Sequence, residues 1–347
     1  MTRIVVTGGA GFIGSHVAEH FLADGDEVII CDNLSRAKMF GVTGRDDSYN
    51  WNYLNRRYPR TKLHRIDMKD FDALKEGAKG ASVIVHAAGQ VAVTTSIVDP
   101  RTDFETNVIG TFNVLETARR YDSTVLFCST NKVYGENVNA IPILEEPRRY
   151  AFSDSVYENG ISENLSIDGT GHSPYGSSKL AADLYVQDYA RTYGLRTGVF
   201  RMSCIYGERQ LGVEDQGWLA WFVIATLTGK SIRIFGDGKQ VRDVLYISDL
   251  VDAFSRFLKR DIKHAVLNIG GGPENTTSLL ELLDQLGSLI GKQPNVSFSD
   301  WRPADQRVYV SNIGRAQRVL GWKPIVHPTE GLGRVVAWVR ENRGLFE

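Results

Sequence analysis

The sequence predicts a doubly wound parallel α/β sheet with a smaller, interleaved C-terminal unit, on three observations. Apolar runs of strand length recur near 3–7, 27–31, 62–66, 82–86, 124–129 and 196–202, with stretches of helical spacing between them. A glycine-rich turn, Thr7-Gly-Gly-Ala-Gly-Phe-Ile-Gly14, joins the first run to the first helical stretch. With 347 residues, 42% of them hydrophobic, the chain can bury a large core. The expected boundary lies near 205, with residues 1–205 forming the first domain and 206–347 mainly the second.

Ile4-Val5-Val6 reads as a buried strand, and Val17, Ala18, Phe21 and Leu22 fall at helical spacing after the turn. Gly8 and Gly9 let the backbone turn, Gly11 lets a pyrophosphate approach the main chain, and Gly14 lets helix and strand pack closely. The helix N-terminus then offers free N–H groups and a positive dipole end to phosphates. The second strand, Glu27-Val-Ile-Ile30, leads to Asp32, 18 positions after Gly14. A carboxylate there takes the ribose hydroxyls of NAD and repels the extra phosphate of NADP. Arg36 points the other way, toward NADP, but Asp32 sits at the strand end itself, which favours NAD.

Two long polar stretches interrupt the strand-helix alternation. Residues 35–58 include Trp51, Tyr53 and Tyr58 where a short loop would suffice, and residues 136–171 are rich in Asp, Glu, Asn, Ser and Gly. The second is expected to be a lid or partner contact, with a plain surface excursion as the alternative. It leads into His172-Ser-Pro-Tyr175-Gly-Ser-Ser-Lys179. Ser173 and Pro174 mark a helix start, so His172 is read as shaping that start. Tyr175 and Lys179, four apart, share one helix face. A free phenol has a pKa of about 10. A neighbouring ammonium and a positive nicotinamide ring favour the phenolate, making Tyr175 a candidate base. Glycines at 236, 238 and 270–272 mark turns in the C-terminal half.

Together these motifs resemble the extended short-chain dehydrogenases/reductases, in the group of NAD-dependent nucleotide-sugar epimerases and dehydratases with a Rossmann-type sheet. Further segments carry the likeness along nearly the whole chain: His86-Ala-Ala-Gly-Gln90, Asn107-Val-Ile-Gly-Thr111, Ser129-Thr-Asn-Lys-Val-Tyr-Gly135, Phe200 to Gly207, Gly236 to Asp243 and Trp301-Arg-Pro-Ala-Asp305. The resemblance implies catalysis by Thr130, Tyr175 and Lys179. It implies cofactor contacts from Gly8, Gly11, Phe12, Ile13, Gly14, Asp32, Asn33, Asp67, Met68, Ala87, Gln90, Asn107, Ser129, Tyr175 and Lys179. Substrate contacts fall to Asn131, Lys132, Arg209, Gln216, Arg242 and Arg302, the arginines for a diphosphate. The alternative for the arginines is local ion pairing, Arg242 with Asp243 or Asp237 and Arg302 with Asp305. The runs Ser129 to Gly135, His172 to Lys179, Asp215 to Trp221, Gly238 to Asp243 and Asp305 to Val308 resemble the C2-epimerising branch, which implies a CDP-hexose inverted at C2. A UDP-sugar 4-epimerase would use the same catalytic residues. A 4,6-dehydratase needs an acid directly after the catalytic hydroxyl, where Asn131 and Lys132 stand. A non-catalytic NAD-binding regulator is disfavoured because Thr130, Tyr175 and Lys179 are all present.

The formal net charge of −1 gives no reason to expect nucleic acid. Cys31, Cys128 and Cys204 lack metal-ligand spacing and read as reduced core residues, so no metal is expected. No signal peptide precedes Ile4, and the apolar stretch Leu219–Leu227 is half the length a membrane helix needs. The expectation is a cytoplasmic enzyme that binds a nucleotide sugar and forms a homodimer or homotetramer.

Overall fold

The structure, a computed structural model, describes residues 1–36 and 48–347. Of the polar stretch 35–58, residues 37–47 therefore lie outside the described residues, and Tyr49–Arg57 form a helix. The chain divides into two compact units: residues 1–133, 173–201 and 253–267 make the first, and 134–172, 202–252 and 268–347 the second.

The first unit holds all but the last residues of two strands of a seven-stranded sheet. Its strands are β1 (Arg3–Thr7), β2 (Glu27–Asp32), β3 (Lys62–Arg65), β4 (Val83–His86), β5 (Thr124–Thr130), β6 (Thr197–Met202) and β7 (His264–Ile269). They lie in the order β7-β6-β5-β4-β1-β2-β3. The pairs β1–β2, β1–β4, β2–β3 and β4–β5 are parallel. The order reverses direction at β1, and it is at such a reversal, beyond the C-terminal strand ends, that open α/β sheets bind ligands. Parallel strands covered on both faces need continuous apolar runs, and all seven residues of β5 are buried. Beneath one face lies a core of Val5, Ile29, Ile84, Val114, Leu115, Val125, Phe127, Ala182 and Val186, fully or almost fully removed from water.

Four helices of this unit matter for the site: α1 (Phe12–Ala23), α2 (Pro100–Phe104), α3 (Gly110–Tyr121) and α4 (Pro174–Tyr193). Between α2 and α3 the backbone widens into a π-turn, Glu105–Ile109, a deviation that often marks a functional position. Helix α4 begins as its sequence suggests. The Ser173 hydroxyl accepts the Gly176 N–H at 3.1 Å, and Pro174 occupies the first turn.

In the second unit the strand Val241–Tyr246 pairs antiparallel with Thr276–Ser278 and parallel with Val308–Tyr309 and Cys204–Tyr206. The stretch 136–171 belongs to this unit. Its hairpin, Ile143–Glu145 with Tyr150–Phe152, packs Tyr150 against Val241, Val308 and Val310. The Tyr150 N–H donates to the Lys239 carbonyl at 2.9 Å, the Ile161 N–H to Val310 at 2.7 Å, and Asn312 returns an N–H to Ile161 at 2.9 Å. These bonds tie the segment into the frame of the second unit at both ends, where the composition had suggested an insertion in the first domain. Polar composition alone could not reveal that Tyr150 and Ile161 serve as anchors. The apolar stretch 219–227 lies in the helix Trp218–Thr228, mostly buried. Among the described residues no helix is long and apolar enough to cross a membrane.

Candidate active site

The glycine turn closes on itself. Gly8 has φ +66°, and a Cβ there would come within 2.6 Å of the Ala88 nitrogen, so only glycine fits. A Cβ on Gly14 would meet the Gly8 carbonyl oxygen at 2.2 Å, so the closeness it permits is to the turn rather than to the strand expected from sequence. Gly11 is roomier, with only the Gly8 carbonyl near, at 3.1 Å, and it caps α1 with no side chain in the way. Asp32 holds the turn: its carboxylate accepts the Ala10 N–H at 3.0 Å and the Leu34 N–H at 2.8 Å. Asn33 donates to Asp67 at 3.1 Å, joining the ends of β2 and the β3 region. A bare helix N-terminus, an open glycine cradle and a carboxylate at the end of β2 fit NAD.

Asn107 sits in the π-turn and clamps Gln90. Its side-chain oxygen accepts the Gln90 N–H at 2.9 Å, and its amide donates to the Gln90 carbonyl at 3.1 Å, to Asp103 at 3.1 Å and to the Ser178 hydroxyl at 3.0 Å. Met68 is buried, and its carbonyl accepts from Asn113 at 2.9 Å.

Thr130, at the end of β5, and Tyr175 and Lys179, on α4, all belong to the first unit and are all buried. The Thr130 and Tyr175 hydroxyls are hydrogen-bonded to each other, which favours the phenolate, but burial dominates and pushes the phenol up to about 12. Lys179 is the surprise. It donates to the Cys128 carbonyl at 2.7 Å and lies 4.2 Å from the centre of the Phe127 ring, and burial draws its ammonium down to about 8. The lowering expected for the phenol is thus reversed in the protein by itself, because desolvation of the phenolate outweighs the Thr130 hydrogen bond.

His86 lies beneath this site. The Thr111 hydroxyl donates to the Asn107 carbonyl at 2.6 Å, so its oxygen accepts from His86 Nε2, 3.0 Å away. Nδ1 then accepts from the Thr7 hydroxyl at 2.7 Å. Burial holds the imidazole neutral, with its pKa lowered to about 3.

The Thr130 hydroxyl also lies 3.3 Å from the Asn131 side-chain oxygen and accepts the Lys132 N–H at 3.2 Å. Arg209, Gln216, Arg242 and Arg302 belong to the second unit. Arg209 is buried with φ +60°, and Gln216 exchanges backbone bonds with Val213 at 2.9 and 3.0 Å. Arg242 and Arg302 are ion-paired, but to carboxylates other than those their sequence neighbours suggest. Arg242 pairs with Asp305 and Arg302 with Asp215, each at 2.6 Å. Arg302 also stacks 3.8 Å from the Phe235 ring centre. Long-range folding supplies these partners, and adjacency in sequence could not.

Sequence reasoning missed Asp103, Ser178, Asp183 and Arg201. Asp103 lies four before Asn107 and Asp183 four after Lys179, so each shares a helix face with a residue already singled out. That spacing was the available signal.

The parallel sheet and glycine turn define a chain built to bind a dinucleotide cofactor, and the sequence matches the NAD dependent epimerase/dehydratase family over residues 4–270. The chain belongs to that family, and its cofactor is NAD. It is 38% identical to the CDP-paratose 2-epimerase of Salmonella typhi over 345 residues, 97% of this chain and 98% of the relative. To a putative UDP-glucose 4-epimerase of Methanocaldococcus jannaschii it is 35% identical over 343 residues, 98% and 99% of the two chains. The structure resembles that of the UDP-glucuronic acid 4-epimerase from Bacillus cereus in complex with UDP-glucuronic acid and NAD. The TM-score is 0.81 at 25% identity, covering 98% of this chain and 100% of that one.

Proposed function

We propose that this protein is a nucleotide-sugar 2-epimerase that inverts C2 of a CDP-hexose, in the manner of CDP-paratose converted to CDP-tyvelose. The buried, hydrogen-bonded pair of Thr130 and Tyr175 hydroxyls carries the catalytic part of this reading. The 38% identity to a CDP-paratose 2-epimerase supports the choice of carbon and nucleotide. A UDP-sugar 4-epimerase is the second reading, supported by the 35% identity to the putative UDP-glucose 4-epimerase.

In this reading Thr130 binds the oxygen of the reacting hydroxyl and Tyr175 takes its proton. NAD, when bound, supplies a reversible hydride acceptor with a positively charged ring. Lys179 fixes the end of β5 through the Cys128 carbonyl. The keto sugar turns and regains its hydrogen on the opposite face, with Tyr175 returning the proton. Asn131 and Lys132 hold the sugar, and Arg242 and Arg302 bind the diphosphate, with Arg209 and Gln216 as further substrate contacts. The reading extends to a cytoplasmic enzyme, supported by the absence of a disulfide among its three cysteines.

A homodimer is part of the proposal. Ile109 and Phe112 of the π-turn and α3 and Leu184 and Tyr185 of α4 are exposed, and the Phe112 and Tyr185 rings meet edge to face at 6.1 Å. An apolar patch of this kind is rarely left to water. Phe112→Glu should convert a dimer to a monomer in sedimentation velocity, whereas an unchanged sedimentation coefficient counts against this surface.

The deciding experiment presents CDP-, UDP- and GDP-hexoses to the NAD-loaded enzyme and reads product stereochemistry by NMR. A CDP-hexose deuterated at C2 should react more slowly and keep its label in the C2-inverted product. Inversion at C4 of a UDP-sugar would establish the second reading instead.

A further inference from the structure

Asp103 is a buried carboxylate that the catalytic scheme does not use. It lies on α2, one turn before Asn107, and only 1% of its surface is exposed. One oxygen is satisfied, accepting from Gln90 Nε2 at 2.9 Å and from Asn107 Nδ2 at 3.1 Å. The Ser178 hydroxyl also stabilises the carboxylate, while burial raises its pKa above the ordinary carboxylate value. Buried carboxylates are costly, and an asparagine could accept the Gln90 and Asn107 bonds without a charge to desolvate.

We propose that Asp103 is a positioning residue of the active centre, whose negative charge tunes the Tyr175–Lys179 pair while its bonds hold Gln90 and Asn107 in register. This rests on the reading of Tyr175 as the base. The surrounding charges leave Asp103 in a particular role. From α4 the pair is faced by Asp183, but that carboxylate is taken up by Arg201 of β6 in a two-point ion pair. From β5 comes the Cys128 thiol, which burial keeps protonated with its pKa near about 12, and from β4 comes the neutral His86. On the helix of Asp103 itself, Arg101 pairs with Glu105 at 3.5 Å, and Glu105 lies 3.9 Å from Lys69. Asp103 therefore faces the site as a carboxylate with no cation bound to it directly among the described residues, and it adjoins the stretch of α4 that carries the pair through Asn107 and Ser178, whose hydroxyl donates to the Tyr175 carbonyl at 3.1 Å. Its charge favours the ammonium of Lys179 and opposes ionisation of Tyr175. In doing so it makes the Tyr175 phenolate a stronger base once formed, and it keeps Lys179 charged against a burial that draws its pKa down.

The test is the pH dependence of kcat/KM in the NAD-loaded enzyme. Asp103→Asn keeps the shape and both accepted bonds but removes the charge. The acid limb, set by Tyr175, should move to lower pH by about one unit. Glu105→Gln neutralises a nearby exposed carboxylate already paired with Arg101 and should leave the limb where it is. Should Asp103→Asn not fold, Asp103→Ser, which leaves room for water, is read in the same way. A folded, NAD-loaded neutral variant with an unmoved acid limb overturns the proposal, even if its rate falls, because a purely structural loss lowers the plateau without shifting the limb. Failure of the base reading is separable: it would appear as an active Tyr175→Phe variant.

Discussion

Arg201 donates to both oxygens of Asp183, at 3.0 and 3.1 Å, with 4% and 0% of the two side chains exposed. The same carboxylate accepts from the Ser129 hydroxyl and from Gln187, each at 2.6 Å. Asp183 lies one turn after Lys179 on α4, and Ser129 directly precedes Thr130 on β5. One buried carboxylate thus ties the helix of Tyr175 to the strand of Thr130.

A buried pair costs most when one partner is removed, since the other charge is left uncompensated. Asp183→Ala is expected to lose about 3–5 kcal/mol in urea unfolding. The double variant Asp183→Leu with Arg201→Met should recover much of that loss. A double variant as unstable as the single one would show that Ser129 and Gln187 depend on the carboxylate more than Arg201 does.

Tyr175→Phe keeps the ring in its buried position and removes the hydroxyl bonded to Thr130. Turnover should fall by roughly 10²- to 10⁴-fold, the usual range for a general acid–base group. Bound NAD, measured by acid release and absorbance, should be unchanged. Turnover within a few-fold of the parent would remove Tyr175 from the mechanism.

His86 sets a pH dependence of stability. Its folded pKa, about 3, lies below the ordinary 6.5, so between these values the unfolded chain binds a proton that the folded chain does not. Stability must then fall as pH drops below 6.5, by up to about 1.4 kcal/mol per pH unit. His86→Gln should flatten this part of the stability–pH curve whatever its effect at neutral pH. An equally steep curve in the variant would assign the acid lability to other groups.

Arg242→Ala and Arg302→Ala address the diphosphate. Each arginine is held by a carboxylate, Asp305 or Asp215, and is poised rather than loose. Loss of one charge-assisted contact is expected to weaken CDP binding by about 10- to 100-fold in calorimetry while sparing NAD. Unaltered CDP affinity in both variants would leave them as ion pairs of the second unit.

The sequence by itself determined the local chemistry: the strand, glycine turn and helix from Ile4 to Leu22, the carboxylate at Asp32, and the helix start at Ser173 that puts Tyr175 and Lys179 on one face. These are readable because they depend on residues within a few turns of one another, where backbone sterics and helical period dominate. Tertiary structure decided what burial does to that chemistry. It raised the Tyr175 phenol and drew down the Lys179 ammonium, because desolvation depends on everything packed around a group. It chose Asp305 and Asp215 for the arginines over their neighbours in sequence, and it wove residues 136–171 into the second unit through Tyr150 and Ile161. It also brought Asp103 beside the catalytic pair from more than seventy positions away, a juxtaposition that no spacing rule encodes.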